Sequence, residues 1–236
     1  MNIQKLYSLT RQAINDYNLI SDGDKIAVGV SGGKDSLTLL VVLAGLQKFL
    51  PKKFDLMAIT CDVGFKGMDY SNIELFCREL NIPYEIVHTQ IAEIVFDNNK
   101  DERPCSLCAK LRKGAMYDRL VELGFNKIAY AHNKDDYIET AFMSMIFEGR
   151  FYAFPPLTKL DKTGITVIRP MMYVPEQSIA DFASKEQLPV IKNLCPVDGS
   201  TKRAYAKELV AKINKDNPGA KDKIMHAILN GKFEDW

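Results

Sequence analysis

The sequence lacks any long apolar run. No stretch of its 236 residues approaches the ~18 consecutive apolar residues that mark a membrane-spanning helix, so we expect no membrane partner. The segment Met1 to Asp16 is polar and amphipathic and has no apolar core typical of a secretory leader. An excess of charge is also missing, because 31 Lys and Arg oppose 30 Asp and Glu; nucleic-acid binding would need local patches. Together these absences predict a soluble, cytoplasmic protein.

The sequence contains only five cysteines, which is an odd number. Two of the five cysteines form Cys105-Ser-Leu-Cys108, which in a reducing compartment favours metal binding or redox chemistry over a disulfide framework. The length and the 47% hydrophobic composition suit one domain with appendages. We divide the chain into an N-terminal helix (1–20), an α/β domain with the Cys-x-x-Cys insertion (21–190) and a C-terminal helical segment with the third cysteine (191–236).

Segments typical of strands alternate with helical patterns. The predicted strands are Lys25–Val30, Leu56–Cys61, Tyr84–His88, Lys127–Ala131 and Ile165–Arg169. The predicted helices are Asn2–Tyr17, Leu37–Leu50, Tyr70–Leu80, Cys108–Leu123, Tyr137–Phe147, Ile179–Gln187 and Lys202–Asn214. This alternation predicts an α/β fold with a doubly wound parallel sheet, in which Ser31, Asp62 and His132 emerge together at the carboxyl edge, where ligands bind. Candidate functional loops are Asn98–Pro104, Gly149–Gly164 and Lys192–Ser200.

The segment Ser31-Gly32-Gly33-Lys34-Asp35-Ser36 joins a predicted strand to a predicted helix. Two adjacent glycines permit φ > 0 and the close approach of an anion, and the first amides of the helix carry the positive end of its dipole. The loop is therefore suited to cradle phosphate. It is not a Walker loop, because Asp35 follows Lys34 and the upstream glycine is missing, and the Rossmann pattern also fails. A glycine turn without a ligand stays open, although it would not require Lys, Asp and two Ser together.

This loop resembles the signature of the PP-loop pyrophosphatases. Members of that family cleave ATP to AMP and pyrophosphate and thereby activate a carbonyl oxygen as an adenylate. The resemblance implies a Rossmann-like fold of the PP-loop type with ATP bound at the glycine loop.

The cysteines form a second group of candidate residues. Cys105 and Cys108 open a predicted helix, whose dipole favours the thiolate that binds metal. With Cys195 they make three candidate ligands, which suit a [4Fe–4S] cluster with one open iron. A thioredoxin-like redox pair and a structural or absent metal remain alternatives. We interpret Cys61 and Cys77 as packing residues; Cys61 is the stronger candidate for an exception, because it precedes Asp62 at the carboxyl edge.

A third motif, Ala-His-Asn-Lys-Asp-Asp-Tyr-Ile-Glu-Thr at 131–140, follows a predicted strand directly. Asp135 and Asp136 fall in the first turn of the next helix, where carboxylates ordinarily serve as caps. Beside a phosphate loop they could instead hold Mg²⁺ or orient adenylation. The pattern leaves both alternatives open.

In this order the three motifs resemble one branch of the PP-loop family, the tRNA 2-thiocytidine synthetases, which replace a cytidine carbonyl oxygen in the anticodon loop by sulfur. The resemblance runs from about Ile26 to Ile213 and also includes Pro155-Pro156, Ile168-Arg169-Pro170 and Asn193-Leu194-Cys195. The late segment of the family usually carries a second cysteine pair, whereas this chain has Cys195 alone.

The resemblance implies a role for each candidate residue. The [4Fe–4S] cluster would be held by Cys105, Cys108 and Cys195. ATP would be bound by Ser31, Gly32, Gly33, Lys34, Asp35, Ser36, Asp62 and His132, and the catalytic residues would be Lys34, Asp35, Lys113 and Asp136. Asp35 would hold Mg²⁺, and Lys34 would offset charge on the leaving pyrophosphate. Sulfide on the open iron would displace AMP, and the sulfur would come from a cysteine desulfurase or free sulfide.

RNA binding has the least support in the sequence. Basic residues cluster loosely near the predicted site, with the aromatic residues Phe151, Tyr152 and Phe154 interleaved as stacking platforms; the basic residues are Lys110, Arg112, Lys113, Arg119, Arg150, Lys159, Lys162, Lys202, Arg203 and Lys207. A solvated surface explains these charges equally well, and only the resemblance favours tRNA. A homodimer would double the basic surface. Rival functions are another PP-loop ligase or amidotransferase, a desulfidase, and a cluster- or zinc-binding regulatory module without turnover.

Overall fold

The computed structural model of the chain describes residues 2–97, 104–192, 194–196 and 202–231. One sheet contains the strands β1 (Asp24–Gly29), β2 (Phe54–Asp62), β3 (Tyr84–His88), β4 (Lys127–Ala129), β5 (Leu157–Lys159) and β6 (Thr166–Ile168). Their order is β3-β2-β1-β4-β6-β5, and neighbours are parallel except for β5, which runs antiparallel to β6. The predicted α/β class and the mostly parallel sheet are confirmed.

Helices surround this sheet in the described part of the chain. They are α1 (Ile3–Asp16), α2 (Lys34–Leu46), α3 (Ser71–Glu79), α4 (Pro104–Glu122), α5 (Lys134–Glu148), α6 (Glu176–Lys185), α7 (Lys202–Asp216) and α8 (Ala220–Asn230), with a π-helical turn at Glu93–Asp97. Each of the seven predicted helices is present. Helices α2, α4, α5 and α6 begin roughly one turn before their predicted starts, because their first turns carry polar or capping residues that apolar periodicity does not detect.

One prediction about an irregular segment was wrong, whereas the C-terminal segment is helical as predicted. Strand β5 lies inside the predicted loop Gly149–Gly164, where only three residues pair with β6 and give too short a pattern to recognise. Helix α8 follows α7 beyond the last predicted element. Most of the predicted loop Asn98–Pro104, and Asn193 and residues 197–200 of the loop Lys192–Ser200, lie outside the described residues.

The strands separate two hydrophobic layers by strict alternation. In β1 the side chains of Ile26 and Val28 join the larger core, which includes α1, α2, α3 and α6, whereas Ala27 joins the smaller core beneath α4. Because the sheet is buried on both faces, the amino-acid sequences of its strands are continuous apolar runs. Val210 of α7 and Met225 of α8 also belong to the larger core, so the terminal helices share it; the predicted domain division stays a prediction.

No helix within the described ranges combines the length and the apolar character that a bilayer-spanning segment requires. This finding agrees with the short apolar runs of the sequence.

The position of β1 decides where a ligand can bind. It lies between β2 and β4, with Val28 opposite Ala58 on one side and opposite Ala129 on the other. The loops that follow β1 and β4 therefore leave the sheet side by side at its carboxyl edge, which is the usual ligand position in doubly wound sheets.

Candidate active site

Two serines brace the glycine loop between β1 and α2. The backbone amide and the hydroxyl of Ser31 lie 3.1 and 3.3 Å from Ser36 Oγ, and the Ser36 hydroxyl donates to the carbonyl of Gly33 at 2.9 Å. Gly33 is the N-cap residue of α2, and no side chain caps it. The start of α2 is therefore free of a capping side chain, as a helix N-terminus that receives an anion should be.

Gly32 is required by both its backbone and its surroundings. Its φ of +80° is unfavourable for other residues, and a Cβ built there would lie 2.2 Å from Ile191 Cγ1. The Ile191 amide also donates to the Gly32 carbonyl at 3.0 Å. The glycine loop is thus hydrogen-bonded to the segment that precedes Cys195.

Asn133 caps α5 and contacts the glycine loop at the same time. Its side-chain oxygen accepts from the amides of Asp135 and Asp136 at 2.9 and 3.2 Å, and the Asp136 carboxylate accepts from the Asn133 amide at 2.9 Å. This is a complete capping box. The side-chain nitrogen of Asn133 donates to Asp35 Oδ1 at 3.1 Å, which joins the first turns of α2 and α5.

Asp136 points toward a buried ion-pair cluster. Its second oxygen lies 3.0 Å from Arg203, which also contacts Glu139 at 3.4 Å and Thr140 at 3.2 Å. Burial raises the pKa of Asp136, while the Asn133 amide and Arg203 oppose the shift. Burial and Asp136 raise the pKa of Glu139 to about 7. Both oxygens of Asp136 thus have protein partners, as a capping role requires, and its catalytic role stays a prediction.

Lys34 is held by two carboxylates. Its Nζ lies 3.0 Å from Asp35 and 3.0 Å from Glu176, the first residue of α6. Burial lowers the pKa of Lys34, but these two carboxylates outweigh it and hold the pKa above its usual value. Glu176 also pairs with Lys207 at 2.7 Å, so it links the loop to α7. Sequence reasoning missed Glu176, which forms part of no motif.

A cavity of about 300 Å³ opens beside the glycine loop. It is lined by Gly29, Val30, Ser31, Asp35, Ser36, Cys61, Ala109, Arg112, Lys113, Met116, Tyr117, Tyr130, Ala131, His132, Phe154 and Arg169. The structure thus brings together the predicted residues Ser31, Asp35, Ser36, Lys113 and His132. Gly32, Gly33 and Lys34 belong to the adjoining loop and helix rather than to this lining.

Asp62 ends β2 at the predicted edge but has local partners. Its carboxylate accepts from the Gly64 amide at 3.0 Å and lies 3.0 Å from His88 Nδ1 and 3.4 Å from the Tyr70 hydroxyl. The neighbouring Cys61 lines the cavity instead. The role of Asp62 as an ATP ligand therefore stays a prediction.

The cavity concentrates positive charge on Arg112, Lys113 and Arg169. Burial lowers the pKa of Lys113, and the two arginines lower it further. Burial, with Arg169 adding to it, lowers the pKa of His132 to about 3, so its imidazole is neutral at neutral pH. His132 Nδ1 is buried, and no described residue forms a hydrogen bond with it. The clustered cations of the cavity suit a polyphosphate.

Helix α4 carries Cys105 and Cys108 and borders this cavity through Ala109, Arg112 and Lys113. Cys105 is exposed in its first turn, and Cys108 and Cys195 are partly buried. Burial raises the pKa of Cys108 and Arg112 opposes it, while Cys195 and Cys105 are both near enough to raise it further. Cys105 and Cys195 therefore lie within electrostatic range of Cys108. Among the described residues, however, no three His, Cys, Asp or Glu side chains are close enough to hold a metal ion as they stand.

The two other cysteines differ from each other. Cys77 is fully buried in the larger core, as predicted. Cys61 is partly buried, packs against the smaller core and also lies on the cavity wall, so its interpretation as a packing residue without a chemical role stays a prediction. Burial raises the pKa of Cys61, while Thr89 and Arg112 oppose the shift.

A family model described as the PP-loop domain matches residues 3–211, and the chain belongs to that family. Its curated relatives include the tRNA-cytidine(32) 2-sulfurtransferase of Geobacter sulfurreducens, 37% identical over 230 residues that cover 96% of this chain and 90% of the relative. The enzyme of the same name from Geotalea uraniireducens is 40% identical over 222 residues, covering 93% and 88%. Within the PP-loop family the chain thus groups with these sulfurtransferases, which confirms the resemblance.

Solved structures agree with this grouping. The U34-tRNA thiolase of Methanococcus maripaludis, solved with its [4Fe-4S] cluster, superposes with a TM-score of 0.76 at 26% identity and covers 96% of this chain and 77% of the thiolase. An NH3-dependent NAD synthetase from Campylobacter jejuni has a TM-score of 0.52 at 17% identity, covering 98% and 93%, and shares the fold alone.

Gly32→Ala should destabilise the protein, whereas Gly33→Ala should be tolerated. Position 32 combines a positive φ with the Ile191 overlap, and we expect a loss of ~2 kcal/mol or more in the free energy of unfolding. A Cβ at position 33 would meet only Ser31 Oγ at 3.5 Å, so a loss of ~1 kcal/mol or less is expected. Urea denaturation of both variants measures the difference, and equal losses would contradict the packing argument.

Glu176→Gln should weaken ATP binding roughly tenfold, because Lys34 loses one of its two carboxylates and Lys207 is released. Glu186→Gln is the matched control at the C-cap of the same helix, since the ion pair of Glu186 among the described residues is with the exposed Lys185 at 3.6 Å. Isothermal titration with ATP measures both affinities. Unchanged affinity in Glu176→Gln would show that Lys34 needs no positioning by α6.

Proposed function

We propose that the protein is an ATP-dependent tRNA sulfurtransferase that converts a cytidine of the anticodon loop to 2-thiocytidine. The observation that carries the proposal is the single cavity that the glycine loop shares with Arg112 and Lys113 of the cysteine-bearing helix α4. The phosphate-binding loop and the helix that carries Cys105 and Cys108 thus border the same space. The name of the relatives makes cytidine 32 the expected target.

ATP would bind with its phosphates against the glycine loop. The amides of that loop and the cations Arg112, Lys113 and Arg169 would neutralise the polyphosphate. Asp35, which stands on the cavity wall, would hold Mg²⁺, and the ion would neutralise phosphate charge. Lys34 would offset the charge that develops on pyrophosphate.

The first chemical step would be adenylation. The carbonyl oxygen of the target base attacks the α-phosphorus, a new P–O bond forms, and the bond to the β-phosphate oxygen breaks to release pyrophosphate. His132, whose imidazole is neutral at neutral pH, would position the base or the phosphate from the cavity wall. AMP is then the leaving group at the base carbon, and a sulfur nucleophile that replaces it completes the exchange.

The thiols of Cys105, Cys108 and Cys195 fit an iron–sulfur cluster in donor chemistry. Cys105, Cys108 and Cys195 would hold it, and a cluster with three thiolate ligands supplies an open iron that can carry sulfide. The solved thiolase that resembles this chain contains a [4Fe-4S] cluster, which supports this reading. Arg112, next to Cys108, would balance the negative charge of the thiolates.

The basic surface predicted for tRNA needs correction. Arg203 is bound to Asp136 and Glu139, Lys207 to Glu176, and Arg119 to Glu85 at 2.7 Å. These cations are committed to carboxylates of the protein, so we assign the RNA contact to the cations of the cavity and to the aromatic residues around it. The homodimer and the sulfur donor, a cysteine desulfurase or free sulfide, stay predictions.

Asp35→Asn should abolish formation of AMP and pyrophosphate in the presence of ATP, Mg²⁺ and tRNA. The amide keeps the shape of the side chain but removes the charge that holds the metal, and we expect a loss of at least ~100-fold in kcat. Asp55→Asn, at an exposed position of β2, is the control and should keep full activity. Quantification of AMP and pyrophosphate decides the outcome; ADP and phosphate from the wild type would refute the proposed reaction.

Replacement of Cys105, Cys108 or Cys195 by Ala should remove the brown colour of anaerobically prepared protein together with the thiolated product, because two thiolates do not retain a stable cluster. Cys77→Ala and Cys61→Ala should keep both. Iron and sulfide analysis, the visible spectrum and mass spectrometry of nucleosides measure the outcome. Full yield from Cys195→Ala would exclude three-cysteine ligation, a colourless metal-containing protein would indicate zinc, and loss with Cys61→Ala would assign Cys61 a chemical role.

A further inference from the structure

The segment that follows α6 lies directly on the glycine loop. The side chain of Ile191 occupies the space beside Gly32, where a Cβ would overlap Ile191 Cγ1 and lie 3.3 Å from Cδ1 of Ile73 in α3. Gly32 is therefore enclosed between Ile73 and residues 188–192, which we call the bridging segment. The loop and the bridging segment cannot shift independently at this contact, because closely packed groups leave no space to absorb a displacement.

A hydrogen bond at the same contact sets the direction of a peptide group. The Ile191 amide donates to the Gly32 carbonyl at 3.0 Å. The Gly32 carbonyl and the Gly33 amide belong to one planar trans peptide, so they point in opposite directions. The Gly33 amide accordingly lies on the side of Ser31 Oγ, at 3.4 Å, and Ser31 is on the wall of the cavity beside the glycine loop. Ile191 thus orients an amide toward the space in which a phosphate would lie.

The peptide between Gly32 and Gly33 depends on this hydrogen bond for its orientation. Glycine adopts positive and negative φ about equally well, so a peptide between two glycines rotates against little steric resistance. In the rotated state a carbonyl oxygen would replace the N–H on the side of the cavity, and an anion is bound by N–H groups and not by carbonyl oxygens. A phosphate therefore favours the state in which Ile191 contacts Gly32.

The bridging segment connects the glycine loop to a cysteine. At its start the Leu188 amide donates to the carbonyl of Ala183 in α6 at 3.0 Å, which holds the segment in place. Cys195 follows Ile191 by four positions, so the Cα atoms of the two residues lie within ~14 Å of each other. With Ile191 on Gly32, Cys195 is within electrostatic range of Cys108. A shift of Ile191 therefore changes where the chain can place the Cys195 thiol.

We propose that Ile191 is a positioning residue that couples the glycine loop to Cys195, so that ATP and the cluster increase each other's affinity. The contact of Ile191 with Gly32 favours phosphate at the loop and, through the chain, the approach of Cys195 to Cys108. Linkage requires that each ligand change the affinity of the other by the same factor. The inference rests on the proposed function in taking ATP and a cluster bound by Cys195 as the two ligands. A protein without its cluster would then bind ATP poorly and would not activate a base that it cannot thiolate.

The test measures the affinity for an ATP analogue with a methylene group in place of the oxygen between the α- and β-phosphorus, which prevents release of pyrophosphate. Isothermal titration without RNA is carried out anaerobically on the full chain with its cluster and after removal of the iron by a chelator. We expect the wild type to bind the analogue ~10-fold more tightly with the cluster than without it. Ile191→Ala should remove most of this ratio, and Ile191→Val, which keeps most of the contact, should retain it.

Val190→Ala is the matched control. Val190 is the neighbouring apolar residue of the bridging segment and is 51% exposed, so its truncation should leave the ratio of the two affinities unchanged. A merely structural role of Ile191 would lower both affinities and preserve their ratio. Equal affinities of the wild type with and without the cluster, or an undiminished ratio in Ile191→Ala, would overturn the proposal.

A second measurement does not depend on the cluster. In the metal-free full chain, mass spectrometry follows the alkylation of Cys195 by iodoacetamide with and without the analogue. We expect the analogue to change this rate ~5-fold in the wild type and not in Ile191→Ala. An effect that persists in Ile191→Ala would show direct shielding of the thiol and would contradict coupling through Ile191.

The two measurements distinguish failure of the inference from failure of the proposed function. If anaerobically prepared wild type contains no iron and sulfide, but the alkylation of Cys195 responds to the analogue through Ile191, the cluster assignment is wrong and the coupling of the loop to Cys195 stands. If the cluster is present and does not alter the affinity for the analogue, the proposed function is unaffected and the coupling is wrong.

Discussion

The buried side chain of Asn133 joins the two loops on which the site is built. An amide has a donor and an acceptor on opposite sides, so one residue can cap α5 and hold Asp35 of α2. The two strands before these helices, β1 and β4, are neighbours, which brings the loops within reach of one side chain. The direction in which Asp35 points, and with it the wall of the cavity, depends on this contact.

Charge is distributed unevenly around that contact. On the side of α7 the carboxylates Asp136, Glu139 and Glu176 are matched with Arg203 and Lys207. On the cavity side Arg112, Lys113 and Arg169 face open space. A chain with a formal charge of only +1 can therefore present a strongly positive pocket, because these carboxylates form ion pairs between helices and do not neutralise the cations of the pocket. Glu176 also forms an ion pair with Lys34, so the C-terminal helices support the glycine loop.

Much of the fold could be predicted because the signals are local. Strand Tyr84–His88 was predicted at its correct limits, and apolar periodicity located each of the seven predicted helices. The starts of α2, α4, α5 and α6 were placed too late, because residues such as Lys34 and Glu176 serve the site and break the apolar pattern. β5 was missed because a three-residue strand has no measurable period, and Arg203 was taken for a surface cation because its partner on α5 is distant in sequence.

By itself the sequence determined the α/β class, the glycine loop and its chemistry, and the Cys-x-x-Cys pair, since each depends on neighbours along the chain. Only the tertiary structure decided which of these residues share a cavity. It placed Cys61 on the wall instead of Asp62, added Arg169 and Phe154 from distant segments, and packed Ile191 against Gly32. The physical reason is that hydrogen bonding, burial and charge act through space, and a folded sheet edge brings together residues whose separation along the chain carries no pattern.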